Sequence, residues 1–506
     1  MDWWQAAPAA RAMGIVPTIS QLTHDSRRVT PGSGFAAIPG AANDGHDHIA
    51  EAIEAGASVA VVQQASEAKW APYVGRIPLV VVPDTRAALG LLAAAVNNDP
   101  SASMRLVGVT GTDGKTTTTH LTAHVLSACG FNCGYLSSVG FEAGSGFQPN
   151  ASHMTTLEST IVQSLLADAN KTGLGSMVVE ASSEGLAQHR LAGCHFDVAV
   201  FTNLTRDHLD FHGTMERYLE AKGRLFEMLD ESPGKQFPRA AVLNAGDPAS
   251  DYLRSRSSAP VLTYGLAGGV DFRARDVRSV DLGLRFSVEA QGETIKASLP
   301  MIGNFNALNS LAAVAVAASQ GASLSKAVAA LASFPGIPGR MERIDCGQPY
   351  RVFVDIASTP AALENVLRAL RPATKGRLWV VFGAAGGRDP ARRAGMGAVA
   401  GRLADRAVLT SEDPRDEDPG AIIESIAGGL REAGRRDGRD YVSITDRREA
   451  IAYAFEHAGT DDTVLLAGKA TETTMIERGR ALPWDERALA RELLGGVSST
   501  LPPEFL

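Results

Sequence analysis

Leu106-Val107-Gly108-Val109, followed by Thr110-Gly111-Thr112-Asp113-Gly114-Lys115-Thr116-Thr117, is the stretch that decides the fold. The apolar run reads as a buried strand, and the segment after it opens a helix running to about Cys129. Such a turn offers free backbone N–H groups at a helix N-terminus, where the peptide dipoles favour an anion. Gly111 and Gly114 let the backbone approach a polyphosphate. Gly111, Thr112, Gly114, Lys115, Thr116 and Thr117 are therefore expected to cradle nucleotide phosphates, with Lys115 neutralising the β/γ oxygens and the Thr116 hydroxyl on Mg²⁺. Gly108 lies six positions before Gly114, where the common phosphate-loop pattern has five. The competing reading is an ordinary glycine-rich turn, which Gly-Lys-Thr between a strand and a helix disfavours.

Working outward, the middle of the chain alternates buried strands (Met177 to Ala181, Val198 to Asn203) with helices, one around Met215 to Leu229. That alternation predicts a mostly parallel sheet covered on both faces. Leu282, Leu284, Phe286 and Val288 alternate with polar or small residues, which predicts an antiparallel patch late in this region. Toward the N-terminus, the runs Phe35 to Ile38, Val59 to Val62 and Leu79 to Val82 alternate with helical stretches, Asp47 to Ala55 and Thr85 to Asn97, giving a small α/β unit. Asn98-Asp99-Pro100-Ser101 reads as a linker. Beyond the Pro/Gly-rich segment Phe334 to Gly339 a third α/β set begins, with strands at Val352 to Asp355, Leu378 to Phe382, Ala407 to Thr410 and Val464 to Ala467. The expectation is an α/β protein of three domains, 1–98, 99–336 and 337–506, the last Rossmann-like.

A chain of 506 residues suits about three domains of roughly 100 to 200 residues each. Its composition, 45% hydrophobic and 21% charged, excludes collagen-like and wholly disordered classes. With 48 Lys+Arg against 56 Asp+Glu, the net charge of −8 gives no electrostatic support for binding nucleic acid. Cys129, Cys133, Cys194 and Cys346 are too few and too scattered for a disulfide framework and read as reduced thiols. The segment Met1 to Ala12 lacks the pattern of a secretory signal, and Ser310 to Ser333 is too polar to fill a bilayer. The expectation is a soluble, cytoplasmic monomer without membrane insertion.

The variant spacing of Gly111-Thr112-Asp113-Gly114-Lys115-Thr116-Thr117 resembles the phosphate loop of the Mur ligase family, ATP-dependent amide-bond synthetases. Asp25-Ser26-Arg27, Pro31-Gly32, Ile38-Pro39-Gly40 and Asp44-Gly45-His46 look like the nucleotide-sugar domain of the MurE type, which adds the third residue of the peptidoglycan stem peptide. Thr155-Thr156, Glu180-Ala181-Ser182-Ser183 with Gln188 and Arg190, the run from Thr202 to Gly213, and Lys222 resemble its central domain. Gly303-Asn304-Phe305-Asn306 with Asn309, and Pro338 to Arg343, continue the match toward the third. The motifs span most of the chain in order.

The resemblance implies a ligase that uses ATP and Mg²⁺ to join a diamino acid (meso-diaminopimelate, lysine or ornithine) to UDP-N-acetylmuramoyl-L-Ala-D-Glu. It implies Thr116, Glu180, His208 and Lys222 as the metal set and Lys115, His208 and Lys222 as the catalytic set. On residues alone the favoured readings are Glu180, at the end of a buried strand, as a salt-bridged carboxylate, His208 as a loop cap and Lys222 as a solvated helix lysine. The resemblance further implies that Lys222 is carbamylated, which requires its amine to be neutral and its pKa to fall from about 10.4 through desolvation or a nearby cation. Ser26 and His46 would hold the uridine sugar. Thr155, Thr156, Ser183, Gln188 and Arg190 would hold the muramyl dipeptide. Asn306, Arg340 and Asp355 would face the nucleotide, and Arg388, Asp413, Arg415, Gly468 and Glu472 the incoming amino acid.

The departures from the family pattern cluster on the acceptor side. Asp-Tyr-Ala-His-Thr-Pro appears as Asp355-Ile356-Ala357-Ser358-Thr359-Pro360, and Gly-Lys-Gly-His-Glu as Gly468-Lys469-Ala470-Thr471-Glu472. Asp-Asn-Pro-Arg becomes Glu412-Asp413-Pro414-Arg415, Ser-Ser-His becomes Ser182-Ser183-Glu184, and Leu157 stands where Pro often follows the Thr pair. Three readings follow: a ligase of the MurE type, a paralogue with a different acceptor, and a non-catalytic nucleotide-binding protein.

Overall fold

The computed structural model describes residues 2–40, 43–152, 154–232, 234–280, 283–387 and 390–495. It divides into two compact units: Met1–Val277 with Arg285–Ser298 and Phe305–Ser333, and Phe334–Leu506 with Arg278–Leu284 and Leu299–Asn304.

The first unit holds two sheets. The smaller has the strand order Arg11–Met13, Leu79–Val82, Val59–Gln63, Gly34–Ala36, Leu22–Thr23. All its pairings are parallel except that of Arg11–Met13, which runs antiparallel to Leu79–Val82. The inner strands Val59–Gln63 and Leu79–Val82 are nearly unbroken apolar runs because both faces are covered, whereas the edge strand Arg11–Met13 is exposed. Ala36, Val59, Val61, Val80 and Val82 pack with Leu89 and Leu92 of the helix Thr85–Val96 on one face. Phe35, Ala60, Val62 and Val81 pack with Ile49, Ala52 and Trp70 on the other. Asp84 caps that helix by accepting from the amides of Arg86 and Ala87. At Gly90 the helix approaches the Ala192 carbonyl so closely that a Cβ would lie 2.4 Å from its oxygen. Residues 1–98 thus form a sheet of their own but belong to the same compact unit as the central sheet.

In the eleven-stranded central sheet, Arg105–Thr110 lies between Val198–Phe201 and Ser176–Glu180, parallel to both. The chain builds the sheet first to one side of Arg105–Thr110 and then to the other. The loop after this strand therefore opens at the point of reversal, where α/β sheets place their ligands. Three strand ends meet there, carrying Gly111, Glu180 and Thr202. The expected alternating segment is the strand Gly283–Ala290, neighboured in the sheet by Phe272–Val280 and Glu293–Leu299; Leu282 lies outside the described residues.

The second unit is built on a six-stranded sheet, in the order Glu342–Ile344, Arg351–Asp355, Thr463–Ala467, Leu378–Phe382, Arg406–Leu409, Tyr441–Ser443. Only Glu342–Ile344 is antiparallel to its neighbour. Separate apolar clusters cover its two faces, one around Leu363, Phe382 and Ile426, the other around Trp379, Ile451 and Leu466. Asp355 and Ala467 are register partners at adjacent strand ends, so the segments that follow them share one edge. The four cysteines are free, and only Cys194 is fully buried. No helix among the described residues is long and apolar enough to cross a membrane; Ser310 to Ser333 is divided between the helices Phe305–Ser319 and Leu324–Ala330.

Candidate functional site

The phosphate loop is shaped by glycine and anchored from two directions. Gly111 has φ +146°, and a Cβ on it would stand 1.9 Å from Thr202 Oγ1; Gly114 has φ +80°, and its Cβ would stand 2.7 Å from Asn309 Oδ1. Neither position has room for a side chain. From the next strand, the Asn203 carbonyl accepts from the Thr112 amide (2.8 Å) and Asn203 Oδ1 from the Asp113 amide (2.9 Å). Thr202 Oγ1 donates to the Asp113 carbonyl at 2.6 Å. The helix beginning at Lys115 starts directly from this loop, with Gly114 as its N-cap. Thr117 lies in its first turn. Asn309 Nδ2 donates to Asn306 Oδ1 at 2.9 Å, which brings Asn306, expected to face the nucleotide, within one residue of the loop.

Lys115 Nζ donates to the Gly111 and Thr112 carbonyls at 3.2 and 2.7 Å. Thr116 Oγ1 stands 3.0 and 3.2 Å from the two carboxylate oxygens of Glu180, and Glu180 also accepts from the Ser138 amide at 2.8 Å. Glu180 is buried and makes no salt bridge among the described residues, so the salt-bridged reading of it fails. A hydroxyl beside a carboxylate is an all-oxygen donor pair of the kind a hard cation takes when substrate phosphates complete its shell. These two residues fit Mg²⁺. Among the described residues no cage of three or more His, Cys, Asp or Glu is present.

Lys222 is not a solvated lysine. It is 1% exposed on the helix Met215–Glu231 and donates to the Gly111 carbonyl at 2.6 Å. Burial, and then the positive charge of Lys115, push its pKa down to about 6. His208 is half-exposed and sits ahead of the helix Leu209–His212 with φ +52°. Its Nδ1 lies 3.1 Å from Glu184 Oε1 and its Nε2 3.4 Å from Asp207 Oδ2. The departure at 184 thus places a carboxylate against this histidine.

The remaining residues of this unit fall into two groups. Ser26 Oγ donates to Glu51 at 3.3 Å. His46 is buried with both ring nitrogens engaged, Nδ1 with Asp44 at 2.7 Å and Nε2 accepting from the Gln63 amide at 3.0 Å. It braces the 44–46 turn and has no nitrogen left for a ligand. Thr155 lies next to Thr156, whose hydroxyl donates to the Glu180 carbonyl at 2.8 Å. Ser183 Oγ meets His212 Nε2 at 3.0 Å. Arg190 donates to the Thr156 carbonyl (3.0 Å) and to Gln188 Oε1 (2.9 Å), with Glu158 at 3.2 Å. Thr156, Gln188 and Arg190 are therefore one hydrogen-bonded group. Sequence reading missed Glu158, Tyr218 and Asn203. Of these only Asn203 stood inside a quoted motif.

In the second unit Asp355 accepts from the amides of Met341 (2.8 Å) and Ala357 (2.9 Å). Burial raises its carboxyl above the ordinary range, against the opposing pull of Arg340 and these donors. Ile356, in place of the family's Tyr, packs on the apolar cluster beneath. The Ser358 carbonyl accepts from Arg392 at 2.9 Å.

Asp413 and Glu472 do not stand open to an outside ammonium. Both hold Lys469, fully buried, whose Nζ donates to Asp413 at 2.7 Å, to Glu472 at 2.6 Å and to the Thr474 carbonyl at 2.6 Å. Glu412 is the less satisfied carboxyl: its Oε2 is buried without a hydrogen-bond partner, and burial lifts its pKa to about 7. That oxygen lies where a Cβ on Gly468 (φ +108°) would come within 2.4 Å of it. Arg415 is half-buried with φ +55°, its backbone bonded to Ile476 and Arg478. Its guanidinium has no carboxylate partner among the described residues. Arg388 lies outside the described residues.

Comparison with known proteins agrees with this geometry. Family descriptions match in three consecutive stretches: the Mur ligase family catalytic domain over residues 18–97, the Mur ligase middle domain over 109–317, and the Mur ligase glutamate ligase domain over 339–470. A UDP-N-acetylmuramyl-tripeptide synthetase of Roseiflexus sp. (strain RS-1) is 45% identical, the match covering 94% of this chain and 95% of that protein. A UDP-N-acetylmuramoyl-L-alanyl-D-glutamate–2,6-diaminopimelate ligase of Geobacillus thermodenitrificans (strain NG80-2) is 42% identical over 94% of each chain. A solved structure of a ligase of that second name superposes with a TM-score of 0.65 at 31% identity, covering 94% of this chain and 95% of the other. With Thr116 held against the buried Glu180 under a glycine loop, and relatives alike over nearly their whole length, the chain belongs to the Mur ligase family.

Proposed function

We propose that this protein, as a member of a family of ATP-dependent amide-bond ligases, adds a diamino acid to UDP-N-acetylmuramoyl-L-Ala-D-Glu during peptidoglycan precursor synthesis. The observation that carries this reading is the convergence of Lys115, Lys222 and the Thr116–Glu180 pair on one glycine loop. A carboxylate is a poor acyl donor until one of its oxygens becomes a leaving group. ATP phosphorylates the terminal carboxylate of the dipeptide, the amine of the amino acid attacks the acyl phosphate, and phosphate departs. Lys115 stabilises charge on the transferred phosphoryl group. Mg²⁺, when bound by Thr116 and Glu180 with His208 and Lys222 near a second ion, supplies neutralisation of the phosphate charge.

Lys222 is assigned as a carbamate. Its amine nitrogen adds to the carbon of CO₂, loses a proton and becomes a carboxylate able to face a cation. Burial and the neighbouring Lys115 favour the neutral amine this requires.

Residues 1–98 are assigned to the uridine sugar, with Ser26 in contact and His46 shaping the turn. Residues 99–336 carry the ATP site and the dipeptide, held by Thr155, Thr156, Ser183, Gln188 and Arg190. In residues 337–506, Arg340 and Asp355 are assigned to the nucleotide and Arg388, Arg415 and Gly468 to the amino acid; Asn306 of the central region is likewise assigned to the nucleotide. The protein is assigned to the cytoplasm as a monomer acting on small molecules, with no nucleic-acid partner and no membrane insertion.

A paralogue with another acceptor is the second reading, favoured by the commitment of Asp413 and Glu472 to Lys469. Purified protein given ATP, the UDP-linked dipeptide and a panel of amino acids separates the two. ADP release that requires the UDP-dipeptide and a diamino acid supports the first reading. Preference for an uncharged side chain supports the second, and ADP binding without turnover on any acceptor leaves only a nucleotide-binding role.

A further inference from the structure

Tyr218 belongs to none of the ligand groups above, yet it is almost wholly buried against the phosphate loop. Its phenol oxygen lies 3.0 Å from Thr112 Oγ1. Thr112 Oγ1 also donates to the Thr205 carbonyl (3.2 Å) and accepts from the Thr205 amide (2.9 Å). With the threonine proton committed to that carbonyl, the phenol is the donor to Thr112. Burial raises the phenol to about 12, so it keeps its proton at neutral pH. The ring of the same residue lies 4.2 Å from Lys222 Nζ, and Lys222 stands one helical turn further along, bonded to the Gly111 carbonyl. Two residues of one helix face therefore grip Gly111 and Thr112, consecutive residues of the loop. The ring of His212 packs against Tyr218 with centroids 5.2 Å apart.

We propose that Tyr218 is a positioning residue with two separable parts: its hydroxyl fixes Thr112 within the phosphate loop, and its ring walls the Lys222 amine from water and holds it against Gly111. This sharpens the reading of the loop as the ATP phosphate site and rests on it. A helix that grips a loop at two consecutive residues fixes both its position and its twist, so the N–H groups after Thr112 are aimed before nucleotide arrives.

The experiment is calorimetric binding of Mg²⁺-ADP, without turnover, to wild type, Tyr218→Phe, Thr112→Val and the double variant, with Lys115→Ala as reference. Tyr218→Phe removes one hydroxyl and keeps the ring, so its melting temperature serves as the check on folding. It should weaken ADP by about three- to tenfold, the scale of one hydrogen bond. In the Thr112→Val background the same change should have no further effect, because the partner is already gone. Additive losses, or an affinity of Tyr218→Phe within twofold of wild type, would overturn the assignment. Failure of the underlying reading looks different: Lys115→Ala would then bind ADP as tightly as wild type.

Discussion

Lys222 Nζ lies 2.6 Å from the carbonyl oxygen of Gly111, the same oxygen that Lys115 Nζ approaches at 3.2 Å. Two amines that converge on one carbonyl disfavour each other's charge, and the buried one yields first. Lys222, 1% exposed, is that one. The arrangement sets a neutral, nucleophilic amine behind the loop lysine.

The stability of the protein should carry the signature of this amine. Its folded pKa is about 6, against about 10.4 for an unfolded lysine. Between these values the unfolded chain holds a proton that the folded chain lacks, so stability rises with pH across that window, by at most about 1.4 kcal/mol per pH unit. Lys222→Met, which escapes the penalty, should melt above wild type at pH 7 in CO₂-free buffer, and the gap should narrow by pH 9. A gap independent of pH would show that the amine is charged in the fold.

Lys222→Ala should lose ligase activity and recover part of it on addition of acetate or formate, which can occupy the space of a missing carboxylate. Carbon-13 spectra of wild type under labelled CO₂ should show a carbamate signal that the variant lacks. Full activity of the alanine variant would return Lys222 to a purely structural role.

Lys115→Ala should leave the fold intact, because its ammonium bonds only to carbonyls of the loop itself. It should lower kcat by several kcal/mol of transition-state stabilisation, on the order of a thousandfold. Steady-state ADP release, read beside circular dichroism, checks both halves. Near wild-type turnover would remove the loop from the mechanism.

Local chemistry was legible and long-range satisfaction was not. The strand Leu378–Phe382 is an unbroken apolar run and was readable to the residue; Leu79–Val82 likewise. Ala240–Asn244 is as long, but only Val242 and Leu243 of its five residues are large and apolar, and Tyr441–Ser443 has only three residues, too few for a period to show. The glycine loop announced itself because its function demands residues without side chains. His46 was picked out as a ligand, yet its Nε2 is taken by the Gln63 amide, 17 residues away, a partner that no local pattern reveals. Lys469 is the clearest case. Its motif is visible in the sequence, but its capture of Asp413 depends on two loops 56 residues apart meeting at the ends of strands that flank Leu378–Phe382. Charge in the acceptor region could be counted from the sequence, while its pairing required the fold.

That pairing shapes the expectation for Arg415. Lys469 already occupies Asp413 and Glu472, so the recognition of the amino acid falls more heavily on Arg415, whose guanidinium has no carboxylate partner among the described residues. A planar guanidinium binds both oxygens of a carboxylate at once, and a lysine in its place supplies charge without that fork. Arg415→Ala should therefore raise KM for the amino acid roughly ten- to a hundredfold, about 1.4 to 2.8 kcal/mol, less than a fully buried pair would lose because the residue is only half-buried. Arg415→Lys should recover only a minor part of the loss. KM for ATP should stay within about twofold, since the change removes binding to the acceptor alone. Initial rates with each substrate varied in turn decide the matter: parallel increases in both constants would show that Arg415 supports the fold of its loop, where its backbone is bonded to Ile476 and Arg478, and does not grip the acceptor.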